Sequence, residues 1–181
     1  MPNWCQNILE VTGKEADLEA FANKAEDNKF TLETYYPMPE EPGDHLDTGK
    51  PHWTDVLAAK SKSTMPDWYS WRVKNWGTKW DISEDGGSFL AKEGATPPVS
   101  STTMVVADER ISISFLTAWS PPVEGIVNVS KSYPNIVFVL RYAEAGNDFA
   151  GTVNIQSGEI LAEVESTFEE YAESYDFTNA F

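Results

Sequence analysis

Between Arg110 and Val164 the chain runs strand, helix, strand and hairpin with little slack, and this order limits the folds open to it more than any other feature. Thr102 to Ala107 and Arg110 to Trp119 alternate and are rich in β-branched residues, with Asp108-Glu109 as a tight turn between them. Ser120-Pro121-Pro122-Val123-Glu124 reads as a helix start. Ser120 serves as the cap, Pro121 sits where a missing N–H costs nothing, and Val123, Ile126 and Val127 form an apolar stripe. Pro134 ends that helix, Ile136 to Tyr142 reads as a strand, and Gly151 to Ile155 pairs with Glu159 to Val164 around Gln156-Ser157-Gly158.

The N-terminal part repeats the theme. Trp4 to Val11 has the composition of a half-buried strand and stops at Thr12-Gly13. Thr12 and Glu15 have capping-box spacing, and Leu18, Phe21, Ala22 and Ala25 recur at helical intervals. Phe30 to Tyr36 reads as a second strand, closed by Pro37 and Pro39. Two β-α-β units in one chain predict an α+β fold: a ferredoxin-like, split βαβ antiparallel sheet with both helices on one face.

A polar insert of about residues 37–101 separates the two halves. It holds a Trp-rich helical segment, Asp67 to Trp76, stopped by Gly77, and a short strand at Phe89-Leu90-Ala91. The expected organisation is one domain over residues 1–165, insert included, followed by an acidic helix or tail at residues 166–181. Ser166 and Glu169 have capping-box spacing. Phe168, Tyr171, Ala172 and Tyr175 share one face of that tail and Glu169, Glu170, Glu173 and Asp176 the other.

The 29 acidic and 13 basic side chains leave a formal charge of −16. Phosphate backbones and anionic membranes would be repelled, so direct nucleic-acid or membrane binding is not expected. A basic or nucleic-acid-binding protein is the complementary partner, and simple solubility is the competing account of the charge. No Lys or Arg follows Arg141, so the C-terminal part is the most negative. Cys5 is alone and cannot form an internal disulfide. No secretory pattern opens the sequence, and no apolar run approaches the roughly 18 residues of a membrane span, which predicts a cytoplasmic protein.

Five blocks, three of them containing Trp, stand in a characteristic order: Met1-Pro2-Asn3-Trp4-Cys5-Gln6-Asn7, Trp76-Gly77-Thr78-Lys79-Trp80-Asp81, Phe115-Leu116-Thr117-Ala118-Trp119-Ser120-Pro121-Pro122, Tyr142-Ala143-Glu144-Ala145-Gly146 and Phe149-Ala150-Gly151. In these blocks, spanning roughly residues 1–160, the chain resembles the YubB-like family of plasmid, phage and bacterial proteins. The resemblance implies a ferredoxin-like domain and a mobile-element origin. It supplies no activity and no catalytic residues to carry over.

Candidate chemistry is sparse. Trp76, Trp80 and Trp119, with Lys79, Asp81 and Thr117, form either a recognition pocket floored by indoles or a set of packed rings that locks the insert to the sheet. Lys79 and Asp81 read as an ion pair that fixes a turn. His45 and His52, with Asp44 and Asp47, have the side chains but not the spacing of a metal site, so no metal and no cofactor are expected. Cys5 reads as an inert core residue. The acidic pairs Glu40-Glu41, Glu84-Asp85, Asp108-Glu109 and Glu169-Glu170 fall in turns or on a solvated helix face, where nothing separates two carboxyl pKa values. Phosphate-loop, dinucleotide and nucleophile-elbow motifs are absent from the sequence. The expectation is therefore a binding protein rather than an enzyme, acting through Glu169, Glu170, Glu173 and Asp176 on a host or rival factor, as a nucleic-acid mimic or anti-defence inhibitor. The alternative is a small-ligand binder or enzyme built on the Trp cluster.

Overall fold

The first strand is also the middle of the sheet. In the computed structural model, which describes residues 3–25, 29–39, 68–82, 105–107 and 110–174, β1 (Trp4–Thr12) lies between β3 (Arg110–Ala118) and β4 (Val137–Glu144) and is antiparallel to both. A short β2 (Val105–Ala107) borders β3, and the hairpin β5 (Phe149–Gln156) and β6 (Glu159–Ser166) extends the β4 side. The six-stranded order is β2-β3-β1-β4-β5-β6.

Alternation decides which face is which. Cys5, Leu9 and Val11 of β1, Ile111, Ile113 and Phe115 of β3, and Phe138, Leu140 and Tyr142 of β4 enter one apolar core. The helices α1 (Glu15–Ala22) and α4 (Val123–Ser130) close that core with Leu18, Phe21, Ile126 and Val129. The split βαβ expectation holds: β3, α4 and β4 form one unit with β1 inserted between its strands.

The other unit differs from the expectation. Phe30 to Tyr36 is not a strand; it contains a one-turn helix, α2 (Leu32–Tyr35), and β2 after the insert takes the sheet position beside β3. Thr31, in extended backbone, caps α2 by accepting the Thr34 N–H, and Leu32 and Tyr35 point together into the core. The Asp81 carboxylate accepts the N–H groups of Leu32 at 2.7 Å and Glu33 at 3.0 Å, which satisfies the free donors of this turn. A cap from outside the segment overrides the β propensity of Thr31, Thr34, Tyr35 and Tyr36.

Two further caps shift. α1 starts after Lys14, which makes no side-chain cap bond, so Thr12 and Glu15 form no capping box. At the C-terminal end the box is Thr167 with Glu170, one residue beyond the expected pair: Thr167 Oγ1 accepts the Glu170 N–H and the Glu170 carboxylate accepts the Thr167 N–H. It opens α5 (Phe168–Ser174), whose Phe168 and Tyr171 pack on Ala143 and Ala150, on the sheet face opposite the main core. On that second face Glu10 of β1 bridges Arg110 of β3 and Arg141 of β4.

Within the insert, α3 (Trp68–Trp76) buries Trp71 and Trp76 and ends at Gly77, whose φ of 78° and N–H bond to the Val73 carbonyl form the expected left-handed stop. His45, His52, Asp44, Asp47, the pairs Glu40-Glu41, Glu84-Asp85 and Asp108-Glu109, Phe89 to Ala91, Tyr175 and Asp176 lie outside the described residues.

Candidate functional site

The Trp set separates into core and surface. Trp76 is fully buried, sits edge-on to Trp71 at 5.6 Å between centroids, and donates its indole N–H to the Tyr36 carbonyl at 3.0 Å. Trp80 and Trp119 are exposed, Trp80 lying 6.3 Å from the Trp4 ring. Lys79 does not pair with Asp81. Its ammonium lies over the Trp80 ring at 4.7 Å, while Asp81 is committed to the backbone N–H groups of Leu32, Glu33 and Ile82. Burial pushes the Asp81 carboxyl above its ordinary value, against the pull of those three hydrogen bonds.

Thr117 belongs to a hydrogen-bonded knot that explains much of the motif pattern. Asn7, buried on β1, donates to Thr117 Oγ1 and to the Cys5 carbonyl, each at 2.9 Å, and Thr117 donates to the Ser120 carbonyl at 2.7 Å. Ser120 donates to the Gly77 carbonyl rather than capping α4, and Thr78 donates to the Ala118 carbonyl at 3.0 Å. The end of α3 is thereby tied to the end of β3. Trp119 stands at the crossing with a φ of 74° and donates its N–H to the Asn3 carbonyl.

Two other groups with reactive side chains have structural work. Cys5 is fully buried, and burial pushes its thiol well above the ordinary range, the opposite of an activated nucleophile. Glu144 is buried and accepts the N–H groups of Gly146 and Asn147 at 2.6 and 2.8 Å, closing the β4–β5 turn.

A cleft that the sequence reading missed lies between the start of α4 and the β5–β6 hairpin. It has a volume of about 520 Å³ and is lined by the carboxylate residues Glu124, Glu163 and Glu165, by Tyr142 and Phe149, and by no basic residue. Cross-strand register builds it: Tyr142 faces Gly151, and Gly151 faces Glu165. Because Gly151 has no side chain, the Tyr142 ring lies across it toward β6. Desolvation, with the charges of Glu165 and Glu163 adding to it, pushes the Tyr142 hydroxyl up to about 12. The signal in the sequence was slight: Glu163 and Glu165, two apart on a strand, share a face. A second cleft of similar volume continues along α4, lined by Lys74, Asn75, Val127 and Asn128 and sharing Val123, Glu124 and Ile160 with the first.

Of the expected acidic partner-binding residues, Glu169 and Glu170 are exposed on α5, and Glu170 is engaged with Thr167. Glu173 lies on the same helix, and Asp176 is beyond the described residues. Among the described residues no cluster of His, Cys, Asp and Glu could hold a metal ion, and no helix is long and apolar enough to cross a membrane.

Sheet order, crossover and helix face together specify the ferredoxin-like arrangement. Residues 101–181 match the family described as the ferredoxin-like domain in Api92-like protein. The Api92-like match runs from β2 through α5 and contains every residue that lines the first cleft except Gly77. A crystal structure of protein api92 from Yersinia pseudotuberculosis is similar over 92% of this chain and 98% of its own, with a TM-score of 0.54 and 10% sequence identity. At that identity the likeness to api92 concerns the fold. No curated protein matches the chain.

Proposed function

We propose that this chain is a non-enzymatic accessory protein that binds a basic host or rival protein through its acidic surface. Its target is a nucleic-acid-binding factor, of the kind used in defence or nucleic-acid processing, met in the bacterial cytoplasm. The YubB-like resemblance supports a plasmid or phage origin. One observation carries the reading: β6 and α5 expose Glu159, Glu163, Glu165, Glu169 and Glu170, in a stretch of chain where no Lys or Arg follows Arg141. Carboxylates spaced along a rigid strand and helix can occupy a groove that otherwise takes phosphates, with association steered by the field. The half-buried Asp81 and the buried Glu144 are engaged by backbone N–H groups, which supports binding over acid–base catalysis.

Affinity capture from host lysate at low and high salt, with mass spectrometry of the eluate, tests this. The expected result is a nucleic-acid-binding protein retained at low salt, released at high salt, and lost from the variant E163Q/E165Q/E169Q/E170Q. Capture that survives high salt, or is indifferent to the variant, would count against acidic interception.

A second reading, a small planar ligand bound at the exposed indoles of Trp80 and Trp119, is favoured by the backbone of Trp119. An aromatic residue at φ 74° with an exposed ring is strained without a packing reward. A ligand screen read by Trp fluorescence tests it, and a response that persists in W119G would sink it.

A further inference from the structure

We infer that the cleft between α4 and β6 is a socket for a cationic side chain, presented by an extended basic segment of a partner protein that adds to the outer edge of β6. This rests on the acidic-surface reading and names the place and the geometry at which it operates.

Three observations carry it. The cleft gathers Glu124, Glu163 and Glu165 with no compensating cation in its lining, so a guanidinium or ammonium entering it meets three carboxylates. Its floor is aromatic, Tyr142 and Phe149 meeting edge to face at 6.1 Å, which suits the apolar stem or flat face of such a side chain. The third observation is independent of charge. Tyr142 is only 5% exposed, its hydroxyl reaches across Gly151 into the cleft, and that hydroxyl has no hydrogen-bond partner among the described residues. A tyrosine buried except where it lines the cleft offers an incoming N–H donor its hydroxyl oxygen beside the carboxylates.

The edge of the sheet supplies the rest. β6 is the last strand in the order, and it leaves Ile160, Leu161 and Val164 47%, 58% and 66% exposed. An edge with exposed apolar side chains and no further strand beside it among the described residues is a template for an added strand. A second copy of β6 is a poor occupant, because it would bring Glu159, Glu163 and Glu165 against their own kind. A segment that alternates basic with apolar residues fits both sides: the period of two aims its cations at Glu163 and Glu165 and its apolar residues at the Val164 side.

The test uses the full chain and a blocked peptide of about six residues alternating arginine with valine, a length that matches an ordinary strand. Binding is followed by amide chemical shifts and fluorescence anisotropy. The expected result is shift changes concentrated in Glu159–Ser166, with affinity roughly tenfold lower for E163Q/E165Q and for a peptide carrying citrulline in place of arginine. Y142F, which keeps the ring, should weaken binding by a smaller factor. Binding that is equal in E163Q/E165Q, or equal for the citrulline peptide, overturns the socket and leaves the broader acidic reading standing. No binding to the parent protein at low salt overturns both.

Discussion

Tyr142 occupies the space that a side chain at Gly151 would need: a Cβ there would sit 2.5 Å from the tyrosine hydroxyl oxygen and 2.8 Å from the Val164 carbonyl oxygen. G151A must therefore move either the ring or the β6 backbone, and the expected cost is about 1–3 kcal/mol of stability, as for other overpacked sites. The hydroxyl itself is a different matter. It makes no hydrogen bond among the described residues, so Y142F is expected to hold or slightly raise stability in urea unfolding, while G151A lowers it.

Asp81 gives the molecule a pH-dependent tie between α2 and the segment after α3. Burial raises its carboxyl above the ordinary 3.8, so the folded state holds that proton more tightly than the unfolded chain. Across the window from 3.8 up to the raised value, stability from this group falls as pH rises. D81N removes the titration, and its stability should change less steeply in that window than the parent's, with a constant loss of about 1–3 kcal/mol because the amide cannot accept both N–H groups of α2 and that of Ile82. Urea denaturation at a series of pH values measures both effects.

Gly77 and Glu124 exclude each other's alternatives. A Cβ on Gly77 would overlap the Glu124 carboxylate and press on the Pro121 carbonyl, at a φ that disfavours any L side chain. G77A should cost about 1–3 kcal/mol, and the double variant G77A/E124A should recover part of it, leaving the backbone strain. Strictly additive losses would show that the carboxylate is free to move aside.

The tryptophans should divide in a mutational scan as they divide in space. W76A removes a fully buried ring and is expected to cost about 3–5 kcal/mol, whereas W80A should stay within about 1 kcal/mol. W119G should be more stable than W119A by about 1 kcal/mol, since glycine relieves the left-handed backbone.

Much of the architecture was legible because it is written in local periodicity. β1, β3, β4 and the β5–β6 hairpin announce themselves by alternation, α1 and α4 by apolar stripes, and the end of α3 by Gly77. What escaped depends on partners distant in the chain. Leu32 to Tyr35 is helical because a carboxylate 49 residues beyond Leu32 caps it, and no window around Thr31 contains that fact. Lys79 and Asp81 look like a pair in sequence, yet backbone donors outcompeted the ammonium for the carboxylate. The cleft was half visible. Glu163 and Glu165 share a strand face by spacing alone, but Tyr142 and Glu124 join them only through sheet register and the seat of α4.

The central place of β1 dictates how this molecule must be assembled in time. Glu10 finds its arginine partners 100 and 131 residues further along the chain, and the whole strand is flanked by neighbours of similar separation. During synthesis the strand with Ile8, Leu9 and Val11 leaves the ribosome before any strand it pairs with exists. It then waits, unpaired and sticky, until β3 and β4 have both emerged. The protein is thus committed to late, cooperative closure of its sheet.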